Sequence, residues 1–322
     1  MIEASDNYKL SLESSWQMNI GVVIVTYNRL SKLKKCLTSY QEQSFTPSII
    51  LVVDNASTDG TKEYLDQWES KTTLDSAIKK VIHCDQNLGG AGGFTEGIRH
   101  MLDMNVDWIW IADDDAYPDK KCLEIITEYY ESLSCEQQSM LAAISAKVVN
   151  GDGNISAIHR RKLKRGIFQV KEVPLSEQDY KEQVQKIDLF SFVGTAIQAL
   201  TIKQVGLPRS DYFIFFDDSE YALRMSKIGQ VICLSDALIV HDSPENVISQ
   251  SSWKNYYMFR NKLYTYKLYF PARYVLSELF KTFFMVLRYY NCPLSRRQLW
   301  HALRAIHQEQ LGLDTRYLPT AK

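Results

Sequence analysis

Residues Trp108–Asp115 read W-I-W-I-A-D-D-D, an apolar run that stops at three consecutive carboxylates. An apolar, β-prone stretch of this length is expected to form a buried strand. Ionised carboxylates are too costly to desolvate unpaired, so Asp113, Asp114 and Asp115 are expected at the strand mouth, where open α/β sheets hold ligands. Clustered hard oxygens suit Mg2+ or Mn2+, and Mg2+ commonly takes one or two carboxylates together with substrate phosphates. The same residues also fit an acidic turn ahead of a helix starting near Pro118 and Asp119.

Polar groups close further segments: Thr26, Tyr27 and Asn28, then Asp54 and Asn55, then Asp217 with Asp218. In a parallel sheet the strand ends share one edge, so these groups are expected to converge on one pocket. Taken alone, Asp54 fits a turn or helix N-cap, and Asp217, Asp218 and Glu220 fit an acidic first helical turn. A carboxylate in such a set can also act as a general base, because like charges raise a neighbour's pKa. Asn87–Phe94 reads N-L-G-G-A-G-G-F between a strand and a helix. That is a flexible turn, or a glycine loop of the kind that brings backbone close to a phosphate at a helix N-terminus. Thr95 stands where the dinucleotide fingerprint needs its third glycine, which argues against an NAD-dependent dehydrogenase.

The elements that must position these groups follow from periodicity. Strands are expected over 19–28, 48–55, 80–84, 108–112, 141–149, 190–202 and 231–242. Helices are expected after the first four, beginning with Leu30, Leu33, Leu37 and Tyr40 at helical spacing. Alternating strands and helices predict an α/β fold with a doubly wound, mainly parallel sheet. Segment 151–187 is polar and charged, and is expected to be an excursion or lid over the sheet. Phe213, Phe215 and Phe216 fit either stacking on a ligand or a core stripe, and Arg224 is expected to pair with a carboxylate or another anion.

The motifs V-T-Y-N-R (25–29), V-V-D-N-A-S-T-D-G-T (52–61), N-L-G-G-A-G-G (87–93), D-D-D (113–115), F-D-D-S-E-Y-A-L-R (216–224) and a late histidine occur in the order of glycosyltransferase family 2. The chain resembles that family from residue 19 to about 262, and most resembles its galactofuranosyltransferase branch. The resemblance implies a GT-A fold and an inverting transfer from a nucleotide sugar, with UDP-galactofuranose as donor and a growing surface polysaccharide or lipid-linked glycan as acceptor. It implies that Asp113 and Asp115, with His241, hold Mn2+ or Mg2+ and that Asp114 lies nearer the sugar. Asp218 is the implied base, with Asp217 and Glu220 at the acceptor. Thr26, Tyr27 and Asp54 are implied at the nucleotide base, and Asn87 and Gly90 at the diphosphate or sugar. A rhamnosyltransferase using dTDP-rhamnose and a non-catalytic nucleotide-sugar-binding scaffold are the rival readings.

The chain has 322 residues and a net charge of −1, which gives no sign of a nucleic-acid partner. That neutrality is a sum of opposites: residues 253–322 hold 12 Lys and Arg against 3 Asp and Glu, and the remainder is acidic. The six cysteines are scattered without a C-x-x-C pair, which argues against zinc or a disulfide framework and fits a reducing cytosol. Neither a signal peptide nor a membrane-spanning run is expected. We expect a polar lead-in over 1–18, a catalytic domain over 19–252 and a basic, aromatic-rich helical region over 253–322. Apolar residues 275, 276, 279, 280, 283, 284 and 287 form a broad helical stripe. It fits packing on the catalytic domain, a homo-oligomer contact or a membrane surface. The protein is accordingly expected in the cytoplasm, peripheral on the inner face of the cell membrane.

Overall fold

The computed structural model describes residues 18–71, 77–243, 252–288 and 294–318. The lead-in expected over 1–18 therefore lies, except for Met18, outside the described residues. Strand β1 (Ile20–Thr26), helix α1 (Leu30–Gln41), β2 (Ile49–Asp54), α2 (Thr61–Ser70), β3 (Ile78–His83), α3 (Gly89–Leu102) and β4 (Trp108–Asp113) alternate as expected. They are followed by β5 (Ala116–Pro118), α4 (Cys122–Glu131), α5 (Cys135–Ser139) and β6 (Leu141–Asn150).

A nine-stranded sheet has the order β3-β2-β1-β4-β11-β6-β12-β5, with β9 (Val184–Lys186) also on β12. Strands β3, β2, β1 and β4 are parallel, and β6 runs parallel to β12 (Gln230–His241). Strand β11 (Thr195–Gln198) is antiparallel to both β4 and β6, so the sheet is mixed but mainly points one way. The order reverses between β1 and β4, and that switch point is where such sheets open a ligand crevice.

The central strands are apolar throughout because both faces are covered. In β1, Val22 and Ile24 pack with Leu33, Leu37 and Tyr40 of α1, while Val23 and Val25 pack with Phe94 and Ile98 of α3. Two glycines let α3 approach that closely. A Cβ on Gly93 would lie 2.6 Å from Val25 Cγ1, and one on Gly97 would lie 2.3 Å from Val23 Cγ1. The glycine run is therefore not a loop: Gly89 to Gly93 form the first turns of a helix.

One other expectation is corrected. Residues 190–202 do not form one strand: β10 (Leu189–Phe190) and β11 are short, and α6 (Ala199–Val205) follows directly. Segment 151–187, expected as an excursion or lid, contains strands of its own. It carries β7 (Arg160–Arg165) and β8 (Val170–Pro174), which form a three-stranded sheet with β10. Arg160, 1% exposed, anchors this sheet by donating to the carbonyls of Ala146, Val193 and Gly194. Its charge reads as solvated in sequence, but here it satisfies carbonyls that would otherwise be stranded.

Helix α7 (Asp217–Met225) precedes β12, and α8 (Trp253–Tyr269), α9 (Ala272–Arg288) and α10 (Arg296–Gln308) close the chain. Tyr256, Tyr257, Leu263, Leu299 and Ala302 form a third apolar cluster with Tyr212 and Phe213. The basic C-terminal region thus packs on the catalytic body. Among the described residues, no helix is long and apolar enough to cross a membrane.

Candidate active site

Register brings the predicted groups to one edge. Thr26 pairs with Asp54, Asp54 with His83, and Val25 with Asp113. His241 arrives by a separate route. The short strand β5 turns back right after the carboxylates and pairs antiparallel with β12, setting His241 opposite Ala116.

Ligand atoms of Asp113, Asp115 and His241 lie within 4.8 Å of one another. Asp115 Oδ1 is 3.3 Å from His241 Nε2, yet it is buried and receives no hydrogen bond. A buried carboxylate oxygen whose close polar neighbours are an imidazole and a second carboxylate fits a divalent cation. The charges are also interlocked. Burial raises the Asp113 pKa, and the charges of Asp115 and Asp114 add to this. Burial opposes ionisation of Asp115 too, but the nearby His241, Arg29 and Lys32 outweigh it and hold its pKa low. His241 is held up despite its burial by Asp115 and Asp113.

Asp114 is engaged by neighbouring side chains. Its carboxylate accepts from Thr26 Oγ1 at 2.7 Å and Arg29 Nη1 at 3.2 Å, and it is 2% exposed. Burial pushes its pKa up to about 6. It ties β4 to β1 and holds Arg29, which also reaches Asp115 at 2.8 Å. Lys32 sits 3.5 Å from the same carboxylate. Neither cation was singled out in the sequence, because a Lys or Arg early in a helix looks like any solvated charge.

Around the ends of β1 and β2, Tyr27 is 40% exposed at the mouth. Asp54 is buried and both its oxygens are engaged, one by Ser57 N at 3.0 Å and the other by His83 Nδ1 at 2.9 Å. Asn87 Oδ1 accepts from Gly89 N at 2.8 Å and from Asn55 Nδ2 at 3.2 Å, which fixes the entry to α3. A Cβ on Gly90 would meet nothing within 4 Å, so of Gly89, Gly90, Gly92 and Gly93 only Gly90 borders open space. At the others the space a Cβ would need is taken by packed neighbours.

The acidic set at 217–220 forms the first turn of a helix, the second of the two placements read from sequence. Asp218 Oδ1 accepts from Ser219 N at 2.5 Å and Ser219 Oγ at 3.0 Å. Arg161 Nη2 donates to that same hydroxyl at 2.9 Å, so β7 braces the helix start. Burial raises the Asp218 pKa. Burial also raises that of Asp217, helped by the charges of Asp218 and of Asp113, so the two acidic groups lie within electrostatic reach. Glu220 is engaged within the fold: it is 1% exposed, with Oε2 held by Arg224 at 2.9 Å and Oε1 by Tyr269 Oη at 2.5 Å.

The loop before this helix has left-handed backbone at Phe213, Phe215 and Phe216. Such conformations persist only when the surroundings enforce them. Asn261 of α8 does so, donating through Nδ2 to the carbonyls of Tyr212, Ile214 and Phe215. Phe213 is a core residue against Tyr257, whereas Phe216 lines a cavity of about 480 Å³ beside Arg161, Glu172 and Tyr266. His159, also missed, stacks edge-on against His241 with ring centroids 4.9 Å apart.

This sheet, with carboxylates at its switch point, has the GT-A architecture. A solved structure of GalNAc-T7 with UDP, GalNAc and Mn2+ superposes with a TM-score of 0.61 over 92% of this chain and 57% of that one, at 13% identity. Residues 21–166 match the glycosyl transferase family 2 profile. Galactofuranosyltransferase GlfT1 of Mycolicibacterium smegmatis is 32% identical over 216 residues, 65% of this chain and 66% of that protein. The dTDP-rhamnosyl transferase RfbF of Shigella flexneri is 27% identical over 231 residues, 70% of this chain and 67% of that protein. The chain belongs to glycosyl transferase family 2.

Proposed function

We propose that the protein is an inverting galactofuranosyltransferase that uses UDP-galactofuranose and extends a cell-surface or lipid-linked glycan. The observation that carries the mechanism is the Asp113–Asp115–His241 group beyond the β4 end, whose ligand atoms lie within 4.8 Å of one another, with the charge of Asp113 felt by Asp217 at the α7 start. The likeness to GlfT1 supports the donor.

Asp218 takes the proton of an acceptor hydroxyl. The freed oxygen forms a bond to the anomeric carbon as the bond from that carbon to the donor phosphate breaks, and UDP leaves with the electron pair. Asp113, Asp115 and His241 would hold Mn2+ or Mg2+, which supplies charge neutralisation for the departing diphosphate. Arg29 and Lys32 keep Asp115 ionised, and Thr26 fixes Asp114. Tyr27, Asp54, Asn87 and Gly90 line the nucleotide side. Glu220 acts by positioning: it ties Arg224 of its own helix to Tyr269 of α8.

A donor panel with purified protein tests this reading. Transfer from UDP-galactofuranose and none from dTDP-rhamnose is expected. The reverse result would establish the rhamnosyl reading that the RfbF likeness supports. Donor binding without transfer to any acceptor would point to a scaffold.

A further inference from the structure

The expected apolar stripe of α9 divides in the fold. Val275 and Leu279 of the stripe, with Val286 beside it, turn inward onto the cluster that α8 and α10 share. Leu276, Phe280, Phe283, Phe284 and Leu287 turn outward, each roughly half exposed or more. The turn between β7 and β8 stands beside this outer face. Tyr274 Oη donates to Gly166 O at 2.7 Å, and Lys281 Nζ donates to Gln169 Oε1 at 3.0 Å. At the tip of that turn, Ile167 is 76% and Phe168 65% exposed. Two segments a hundred residues apart in sequence therefore stand side by side, each carrying exposed apolar side chains.

Their charges have one sign. Lys164, Arg165 and Lys171 on the hairpin and Arg273 and Lys281 on the helix are exposed. The acidic residues on these elements, Glu172 and Glu278, are instead paired with Arg161 and Lys262. Aromatic and leucine side chains ringed by cations fit the headgroup region of an anionic bilayer. A second copy of the chain fits less well, because an isologous contact would set these cations against their own symmetry mates.

We propose that the β7–β8 tip and the outer face of α9 together form a docking surface for anionic membranes. The surface lies on the side of the 480 Å³ cavity that Arg161, Glu172 and Glu278 share, so docking turns the Asp218 side toward the bilayer. The proposal does not depend on which sugar is transferred.

The test is co-sedimentation of the full chain with phosphatidylcholine vesicles with and without phosphatidylglycerol. Binding is expected only with phosphatidylglycerol, and it should fall with added salt. Ile167→Ser/Phe168→Ser and Phe280→Ser/Phe284→Ser should each lower the partition coefficient by about tenfold or more, with unchanged melting temperatures. Lys164→Glu/Lys171→Glu should do the same. Protein that stays in the supernatant with anionic vesicles overturns the proposal, as do both apolar double variants sedimenting like wild type. Light scattering that shows a dimer dissolved by Phe280→Ser/Phe284→Ser, with no vesicle binding, assigns the surface to a second copy instead.

Discussion

Asn261 Nδ2 donates to the carbonyl oxygen of Phe215 at 2.8 Å, and the same amide reaches the carbonyls of Tyr212 and Ile214 at 2.9 Å. A residue of the C-terminal helices thus sets the backbone two positions before Asp217. Asn261→Leu keeps the volume and removes the donors. We expect kcat to fall on the order of 10²-fold from misplacement of Asp218, with UDP affinity unchanged. Stability should fall by about 1–3 kcal/mol from the stranded carbonyls. Steady-state kinetics beside a UDP titration and a urea melt check this, and equal loss of UDP binding would refute it.

Asp218 itself should show in the pH profile. Burial raises its pKa above the ordinary carboxylate range, and the base works only when ionised. The rate should therefore decline as pH falls through that raised value, at higher pH than an exposed aspartate would give. Asp218→Asn should lose about 10²–10⁴-fold in kcat and lose this acidic limb as well. An unchanged limb in the variant would assign the titration to another group.

The cation site makes a prediction that needs no turnover. Asp115→Asn and His241→Gln should each weaken Mn2+ binding by roughly 10–100-fold or more, read by the paramagnetic resonance of free Mn2+. Asp114→Asn should weaken it less, because Asp114 is held by Thr26 and Arg29 and lies outside the Asp113–Asp115–His241 group. Equal losses in all three variants would contradict that division.

The glycines of α3 separate packing from binding. Gly97→Ala places a methyl group 2.3 Å from Val23 Cγ1, a β-branched side chain fixed in the central strand, and should cost about 1–3 kcal/mol. Gly90→Ala meets open space and should leave stability level or raise it by up to about 1 kcal/mol. Any activity lost in Gly90→Ala should appear in the donor KM. Denaturant melts with donor titrations distinguish the two.

Glu220→Gln removes one partner of a buried ion pair and leaves Arg224 uncompensated. We expect a stability loss of about 3–5 kcal/mol, with residual kcat well above that of Asp218→Asn. A variant that keeps wild-type stability but loses acceptor KM would restore Glu220 to the acceptor site.

Much of this was legible in sequence for a physical reason. Trp108–Asp115 must bury its apolar half and find partners for its charged half, so a strand with acids at its mouth follows from the cost of desolvating unpaired charge. The alternation that places β1, β2, β3 and β4 side by side is equally local. Glu220 and Asp114 could not be placed, because a carboxylate that faces a ligand and one that faces a partner within the fold look alike in sequence. The partners, Arg224, Tyr269, Thr26 and Arg29, belong to other elements or other turns.

The sequence by itself determined the α/β alternation, the family, and which carboxylates stand at the sheet edge. Only the tertiary structure decided that β5 folds back to bring His241 to Asp115 and that Asn261 holds the loop before Asp217. It also decided that the α9 stripe faces two ways and that glycines 93 and 97 serve the sheet rather than a ligand. Periodicity reports which face of an element is apolar. What that face meets depends on chain closure over a hundred residues or more, and no local pattern encodes that distance.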